Sequence, residues 1–345
     1  MEQEHKRRVR YKGTHPRNYR EKYKELNPEK YQGDVEKIIK SGKTPAGMHI
    51  SIMVNELLEF LDIQPGQTGM DATLGYGGHT QKMLEKLQGQ GHLYATDVDP
   101  IESEKTRKRL EGLGYGPEIL TIRRMNFAQI DQVAPDQKFD FVLADLGVSS
   151  MQIDNPERGF TFKYDGPLDL RLDPTSGVSA AERLRELDQE ELEAMLVENS
   201  DEPYADRIAK AIMQVYKRGG SIETTKQLAS IIEEALSFLP ANERKETIKK
   251  SCQRCFQALR IDVNSEFEVL YEFLDKLPAV LNPGGRVAIL TFHSGEDRLV
   301  KKAFKQGLKE GIYSEVADEV IRPSAEECFR NPRAKSTKLR WAILA

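Results

Sequence analysis

The stretch that decides the fold is GMDATLGYGGHT, residues 69–80, where an apolar run leads through a glycine-rich loop into a helical pattern. Glycine lets the backbone approach a ligand closely, and the helix N-terminus that follows presents unpaired N–H groups. The next apolar run ends ATDVD, which places Asp97 19 residues after Gly78 at the end of a neighbouring predicted strand. A carboxylate at that place accepts the hydroxyls of a ribose. The loop and the carboxylate together predict a nucleoside cofactor.

The spacing of the glycines separates two kinds of nucleoside cofactor. Loops that bind a dinucleotide have the pattern Gly-x-Gly-x-x-Gly, because the backbone must approach the pyrophosphate. In this chain Gly75-x-Gly77 is followed at once by Gly78, so that pattern is not met. The loop therefore favours S-adenosylmethionine, which has no phosphate. A nicotinamide-dependent dehydrogenase remains the alternative from another enzyme class.

Outward from this loop, apolar runs alternate with amphipathic helices, as in a doubly wound α/β fold with a mostly parallel sheet. Helices are predicted at 52–61 and 80–87, on either side of the first strand. The predicted strands are Gly69–Thr73, His92–Asp97, Ile119–Arg123, Phe139–Leu146, Arg286–Phe292 and Leu339–Leu344.

The alternation stops between the fourth and fifth predicted strands, where the periodicity is helical. We expect an inserted helical subdomain over 165–250, between the two parts of the main domain at 45–164 and 251–345. After it we expect one long helix, Gln257–Leu274, and a tight turn at Asn282–Gly285. The predicted helices of the insertion are Ser179–Leu187, Gln189–Val197, Tyr204–Lys217 and Thr225–Ser237.

The net charge of −4 is unevenly distributed. Residues 1–44 hold 13 Lys/Arg and 7 Asp/Glu, a net charge of +6, which leaves −10 for residues 45–345. Tyrosines are interleaved with the cations of this basic N-terminal extension, so it is able to pair with phosphates and to stack on bases. A solvated tail is the alternative interpretation.

Composition also indicates where the protein works. No stretch approaches the roughly 18 apolar residues of a membrane span, and the chain does not begin like a signal peptide. Three cysteines are too few for a disulfide framework, so we expect a cytoplasmic protein with free thiols and no membrane contact. Cys252 and Cys255 have no second Cys/His pair with metal-site spacing, so no metal is expected.

The fourth predicted strand ends ADLGVSS and brings Asp145 to the edge of the sheet where ligands bind. An exocyclic amine on a base is a poor nucleophile, because its lone pair is delocalised into the ring. A carboxylate that accepts one amine N–H localises the lone pair and stabilises the developing positive charge. Asp145 is therefore the candidate catalytic residue, and the alternative is that it orders the loop or binds the cofactor.

Two charged clusters, 158–173 and 291–298, are further candidates for the site. A serine-hydrolase interpretation of His293, Ser294 and Asp297 fails, because neighbours in sequence at a strand end cannot form a triad. The C-terminal cations Arg333, Lys335, Lys338 and Arg340 are consistent with RNA contact or with a solvated edge strand.

With these residues, the chain resembles the ribosomal RNA small subunit methyltransferase H family, also called the MraW family, from about residue 48 to the C-terminus. Two positions depart from the family pattern: Gly295, where Leu is usual, and Asp262, where an aromatic residue is expected. The motifs that carry the resemblance are Asp71–His79, Asp145–Ser150, Arg158–Phe160, Asp165–Asp169, Phe256–Ile261, Phe292–Ser294 and Asn331–Ser336.

The resemblance implies a class I methyltransferase fold with an antiparallel C-terminal strand, and S-adenosylmethionine as methyl donor. It also implies N4 methylation of a cytidine in 16S ribosomal RNA, with the small ribosomal subunit as partner; the oligomeric state is not predicted. Methylation of another RNA or protein site, and a non-catalytic role in ribosome assembly, are the alternatives. The implied cofactor contacts are Gly77, Gly78, His79, Asp97, Phe127, Asp145 and Gln152. The residues expected to contact the substrate are Asp169, Arg171, Arg260, Asn264, His293 and Ser294.

Overall fold

A seven-stranded sheet forms the centre of the structure, a computed structural model that describes residues 51–345. The basic N-terminal extension, with the predictions made for it, lies outside the described residues. The strands are β1 (Thr68–Asp71), β2 (His92–Asp97), β3 (Leu120–Arg124), β4 (Phe139–Asp145), β5 (Leu281–Thr291), β6 (Tyr313–Val316) and β7 (Lys338–Leu344). Their order in the sheet is β3-β2-β1-β4-β5-β7-β6, in which β1 to β5 run parallel and β7 runs antiparallel between β5 and β6.

The chain order reverses at the centre of this sheet. From β1 the chain moves outward through β2 to β3, and then returns to β4 on the other side of β1. A crevice for a ligand forms at such a switch point, outside the carboxyl ends of the strands. The carboxyl ends of β1, β2 and β4 therefore define one edge, which we call the ligand edge.

Helices cover both faces of the sheet and therefore bury the inner strands on both sides. Within β4, Phe141 and Leu143 belong to the core on one face of the sheet, whereas Val142 and Ala144 belong to the core on the opposite face. Among residues 51–345 the helices are α1 (Val54–Leu61), α2 (Gly78–Leu87), α3 (Pro100–Gly112), α4 (Ser150–Asp154), α5 (Ala180–Glu186), α6 (Gln189–Ser200), α7 (Ala205–Lys217), α8 (Thr225–Ala235), α9 (Ala241–Val263), α10 (Glu266–Val280), α11 (Ser294–Lys309) and α12 (Ala325–Arg330).

The predicted strands match the observed ones closely, with two differences. Strand β6 was not predicted, and β5 begins at Leu281 rather than at Arg286. The predicted turn at 282–285 lies inside β5 as a bulge, since Leu281 pairs with Phe139 and Arg286 pairs with Phe141. Gly284 has φ 74°, a left-handed conformation that glycine adopts without strain.

The helical segment between β4 and β5 has its own hydrophobic core. Side chains from α5 to α9 and from the loop before α5 form this cluster, which extends from Phe160 to Leu259. Cys252 and Cys255 are buried in it, and burial raises the pKa of the Cys252 thiol to about 12. Helix α9 runs without a break through the predicted boundary at residue 250, and the domain boundaries remain predictions.

The prediction of a single helix over Gln257–Leu274 is wrong. The structure has two helices there, because Ser265 adopts φ 49° and ends the helical hydrogen bonding between α9 and α10. Asn and Ser side chains compete with helical hydrogen bonds, and Asn264 does so by donating from its Nδ2 to the carbonyl oxygen of Arg260 at 2.8 Å. No described helix has the length and apolar surface that a membrane span requires.

Candidate active site

A backbone hydrogen bond to β2 holds the glycine loop that follows β1. The N–H of Leu74 donates to the carbonyl oxygen of Thr96 at 2.9 Å. Gly75 and Gly77 have φ values of 48° and 76°, which favour glycine. A Cβ at Gly77 would lie 2.7 Å from Thr106 Cγ2, so packing also requires this glycine. Above Gly75, in contrast, a Cβ would meet only a carbonyl oxygen at 3.9 Å, so the loop leaves space on that side.

Asp97 lies at the end of β2, where the loop meets it. Its Oδ2 accepts the N–H of Gly75 at 2.8 Å, and its Oδ1 accepts the N–H of Asp99 at 2.8 Å. Burial raises the pKa of Asp97 to about 6, against the effect of these two hydrogen bonds. Each carboxylate oxygen accepts more than one hydrogen bond, so both retain capacity for hydroxyl donors.

Asp145 ends β4 across the switch point from the loop. Its backbone N–H donates to Thr73 Oγ1 at 2.6 Å, and its Oδ2 lies 3.4 Å from His79 Nδ1. Its Oδ1 is buried and has no hydrogen-bond partner among residues 51–345. Because buried polar atoms are nearly always paired, this oxygen is available to a hydrogen-bond donor of a ligand.

His79, near the start of α2, is buried between two acceptors. Its Nε2 lies 2.9 Å from the carbonyl oxygen of Ile52, and its Nδ1 faces Asp145. Burial alone would lower the pKa of His79, but the hydrogen bond and charge of Asp145 outweigh burial and raise it. Asp71 adds a further negative charge, and burial raises the pKa of its own carboxyl. Each ring nitrogen of His79 therefore faces an acceptor oxygen.

Two other predicted cofactor residues occupy different positions around this edge. The ring of Phe127 is half-buried, at the start of a 3₁₀ helix, and packs edge-on against Phe273 with centroids 5.1 Å apart. The side chain of Gln152 is already engaged, since its Oε1 accepts the N–H of Ser149 and its Nε2 donates to Asp99 Oδ2 at 2.9 Å. Gln152 therefore braces the loop at Asp99.

A buried ion pair beside the cofactor residues was not predicted. Asp99 is fully buried, caps α3 with its Oδ1, and accepts Arg158 Nη1 on its Oδ2 at 2.7 Å. Arg158 also donates to the carbonyl oxygens of Arg171 and Leu172. The sequence signal was present, because Asp99 follows Asp97 by two residues and Arg158 lies in a charged cluster. Their pairing joins the cofactor edge to the inserted segment.

The residues predicted to contact substrate form a connected belt beyond that ion pair. Arg171 forms two hydrogen bonds to Asp169, at 2.7 and 2.8 Å. Asn264 accepts the N–H of Leu172 and donates to the carbonyl oxygen of Leu170, each at 2.8 Å. Leu170 has φ 63°, an unusual conformation for a non-glycine residue, and the Asn264 amide fixes the loop around it.

The belt continues from Asn264 to the end of β5. Arg260 forms two hydrogen bonds to Glu266, at 2.7 and 2.8 Å, and His293 Nε2 lies 3.1 Å from Glu296 Oε1. Burial would raise the pKa of Glu296, but His293 and Arg260 outweigh it and lower the pKa. Ser294, the sixth predicted residue, is exposed at the start of α11.

Three side chains in this part of the belt have ligand atoms within 4.8 Å of one another: Glu266, His293 and Glu296. Arg260 already places a positive charge on Glu266, which opposes a second cation at the same carboxylate. The expectation of no metal remains a prediction.

Lys338 and Arg340 lie on β7, which is paired on both sides and is therefore not an edge strand, whereas Arg333 and Lys335 lie in the 3₁₀ helix before it. Lys338 and Arg340 both pair with Asp297, at 2.9 and 2.6 Å, and Arg333 pairs with Asp154. The charges of these three residues are therefore largely neutralised within the chain, whereas Lys335 is exposed. Asp297 is engaged by these cations rather than by His293, which agrees with the rejection of a hydrolase triad.

The sequence matches one protein family and is similar to several named proteins. The model of the MraW methylase family matches residues 46–344. The chain is 68% identical over 342 residues to ribosomal RNA small subunit methyltransferase H 1 of Lachnoclostridium phytofermentans, covering 99% of this chain and 93% of that protein. It is 66% identical over 345 residues to the protein of the same name from Agathobacter rectalis, covering 100% and 99%. The basic N-terminal extension therefore has a counterpart in this relative. Ribosomal RNA small subunit methyltransferase H of Thioalkalivibrio sulfidiphilus is 40% identical over 323 residues, covering 88% and 98%.

Proposed function

Because the chain belongs to the MraW methylase family, we propose that it transfers a methyl group from S-adenosylmethionine to N4 of a cytidine in 16S ribosomal RNA. The names of its relatives support a ribosomal RNA of the small subunit as substrate. The observation that carries the chemistry is the buried, unpaired Oδ1 of Asp145 at the switch point of the sheet. The partner is then the small ribosomal subunit or its RNA, in the cytoplasm.

The residues at the ligand edge fit S-adenosylmethionine. Asp97 would accept the ribose hydroxyls, the ring of Phe127 would pack against adenine, and the open side of the loop at Gly75 leaves room for the nucleoside. His79 and Gln152 would act through Asp145 and Asp99, which they contact directly. When bound, S-adenosylmethionine supplies an electrophilic methyl group on a sulfonium centre.

Asp145 would act on the base through its free oxygen. Its Oδ1 accepts one N–H of the cytosine amine, which localises the nitrogen lone pair and stabilises the positive charge that develops on nitrogen. His79 stays on Oδ2 and keeps the carboxylate oriented towards the base. After transfer, Oδ1 is the atom that receives the proton lost by the amine.

The connected belt from Asp169 to His293 would hold the target nucleotide and its neighbours. Its members lie on the inserted segment, on α9 and at the end of β5, all next to the ligand edge. Asp169 pairs with Arg171, while Arg260 and His293 pair with neighbouring glutamates, so the belt presents a preorganised set of polar groups rather than isolated charges.

Nucleoside mass spectrometry tests the proposal. The full chain is incubated with isotopically labelled S-adenosylmethionine and either free 16S RNA or small subunits from cells that lack the enzyme. We expect labelled N4-methylcytidine in at least one of these RNAs. Label on another nucleoside, or on protein, would overturn the assignment of the target atom. The absence of any label, with intact cofactor binding, would favour the assembly role.

A further inference from the structure

A cleft of about 520 Å³ lies between α6, α10 and α11. Its floor is apolar and partly aromatic, with Phe267 and Tyr271 from α10 facing Leu299 from α11. The side chain of Tyr271 is 57% exposed, so its ring is accessible to a ligand. Exposed aromatic surface of this kind commonly marks a binding site.

The cleft adjoins the proposed active site. The ring of Phe267 lies 5.8 Å from the ring of His293, the last residue before α11. On the other side of His293, Phe292 reaches Gly147, since a Cβ at Gly147 would be 3.7 Å from the Phe292 ring. Asp145 precedes Gly147 by two residues. A nucleotide chain with its target base at Asp145 therefore passes this cleft within a short distance.

Gly295 gives the cleft its shape. A Cβ at this position would lie 2.6 Å from Phe267 Cζ and 3.1 Å from His293 Nδ1. The ring of Phe267 can rest against the first turn of α11 only because residue 295 has no side chain. The leucine expected at this position from the family pattern would displace that ring.

One face of α11 is a continuous basic stripe that begins at the cleft. The opposite face is buried through Val300 and Phe304, and spacings of three and four residues place the cations together on the exposed side. No acid interrupts the helix between its first and last cations. Within residues 51–345 the four lysines form no ion pair, and Arg298 lies 3.9 Å from Asp201. The members of the basic stripe are Arg298, Lys301, Lys302, Lys305 and Lys309.

We propose that the cleft binds an unpaired base that flanks the target nucleotide, and that the basic stripe of α11 binds the phosphates that follow it. This inference rests on the proposed function, in that the substrate is RNA. Aromatic rings stack on any base, and a row of cations follows a single-stranded backbone. Arg298 belongs to both features, since it lines the cleft and begins the stripe.

The acids at the cleft set the orientation and the choice of base. Glu198 and Glu268 line it and would repel a phosphate, so the base enters and the backbone stays on α11. Carboxylates accept hydrogen bonds from exocyclic amines, which adenine, guanine and cytosine have and uracil lacks. The cleft therefore favours an amino-bearing base.

The first test measures RNA affinity of the full chain, with 16S RNA as the probe. Tyr271→Ala removes the stacking surface and should weaken binding by roughly 5- to 100-fold. The double variant Lys302→Gln/Lys305→Gln should lower the slope of log Kd against log salt by about 1.4, because each phosphate contact to a single strand contributes about 0.7 to that slope. The matched control is Lys86→Gln/Lys138→Gln, two exposed cations at the opposite edge of the sheet, which should leave the slope unchanged.

The outcomes separate this inference from the proposed function. If the wild-type chain methylates RNA but Tyr271→Ala and the Lys302/Lys305 double variant bind it as tightly and with the same salt slope, the inference is wrong and the function stands. If the wild-type chain binds RNA without methylating it, the function fails, while a loss of affinity in the same variants still supports the cleft. Unchanged affinity for S-adenosylmethionine in each variant shows that the fold is retained.

A second measurement tests the base preference. Short RNA strands that differ only at the flanking nucleotide are compared with the wild-type chain and with Glu268→Gln. We expect uracil to bind more weakly than the other bases to the wild-type chain, and the Glu268→Gln variant to lose part of that difference. Equal affinity for all four bases in the wild-type chain would contradict the role of the two glutamates.

Discussion

Replacement of Asp97 by Asn should weaken cofactor binding while the chain stays folded. Both oxygens of Asp97 accept backbone N–H groups, from Gly75 and Asp99, so an amide must turn its NH₂ towards one of these donors. The variant thus loses one backbone hydrogen bond in the loop, and the negative charge that a ribose hydroxyl would meet. Hydrogen bonds to charged groups are worth about 1.5 to 3 kcal/mol, so Kd for S-adenosylmethionine should rise roughly 10- to 150-fold.

Isothermal titration calorimetry with S-adenosylmethionine measures this effect directly. The matched control is Asp140→Asn, the same change in a half-buried acid of β4 that accepts the N–H of Thr68 away from the ligand edge. The control should leave Kd unchanged, and circular dichroism should show that both variants are folded. An Asp97→Asn variant with wild-type affinity would refute the role given to this carboxylate.

Three further predictions follow from the same geometry. Burial raises the pKa of Asp97 to about 6, so its carboxylate becomes protonated as the pH falls through 6. Titrations should therefore show a lower affinity for S-adenosylmethionine at pH 5 than at pH 7.5, and Asp97→Asn should remove that dependence. Arg158→Met leaves Asp99 buried without its partner and should destabilise the fold by about 3 to 5 kcal/mol in urea unfolding, whereas Arg298→Gln should change little. A thiol reagent should label Cys328 in the native chain well before the two buried cysteines, and mass spectrometry of the peptides would expose any other order.

The sequence predicted the ligand edge well because its features are local. The glycine loop, Asp97 and Asp145 each follow an apolar run directly, and parallel strands bring their carboxyl ends to one edge. The structure places Asp97 and Asp145 at the ends of β2 and β4, as expected. Their roles in binding and catalysis remain predictions.

The features that sequence reasoning missed depend on contacts between distant residues. The break between α9 and α10 lies at Asn264 and Ser265, and the Asn264 amide holds the loop at residues 170–172. The pairing of Arg333 with Asp154 joins residues 179 positions apart, so the cations of the C-terminus looked free in the sequence. Strand β6 is short and partly exposed, and only its pairing with β7 identifies it.

The role of Asp145 in methyl transfer is tested most directly by measuring kcat and cofactor affinity separately for Asp145→Asn. The amide keeps the size of the side chain but removes the negative charge that would stabilise the methylated amine. At saturating S-adenosylmethionine and RNA, kcat for N4-methylcytidine formation should fall roughly 10²- to 10⁴-fold, whereas Asp97→Asn should recover near wild-type kcat under the same conditions. An Asp145→Asn variant with wild-type kcat would contradict the claim that this carboxylate accepts the amine proton.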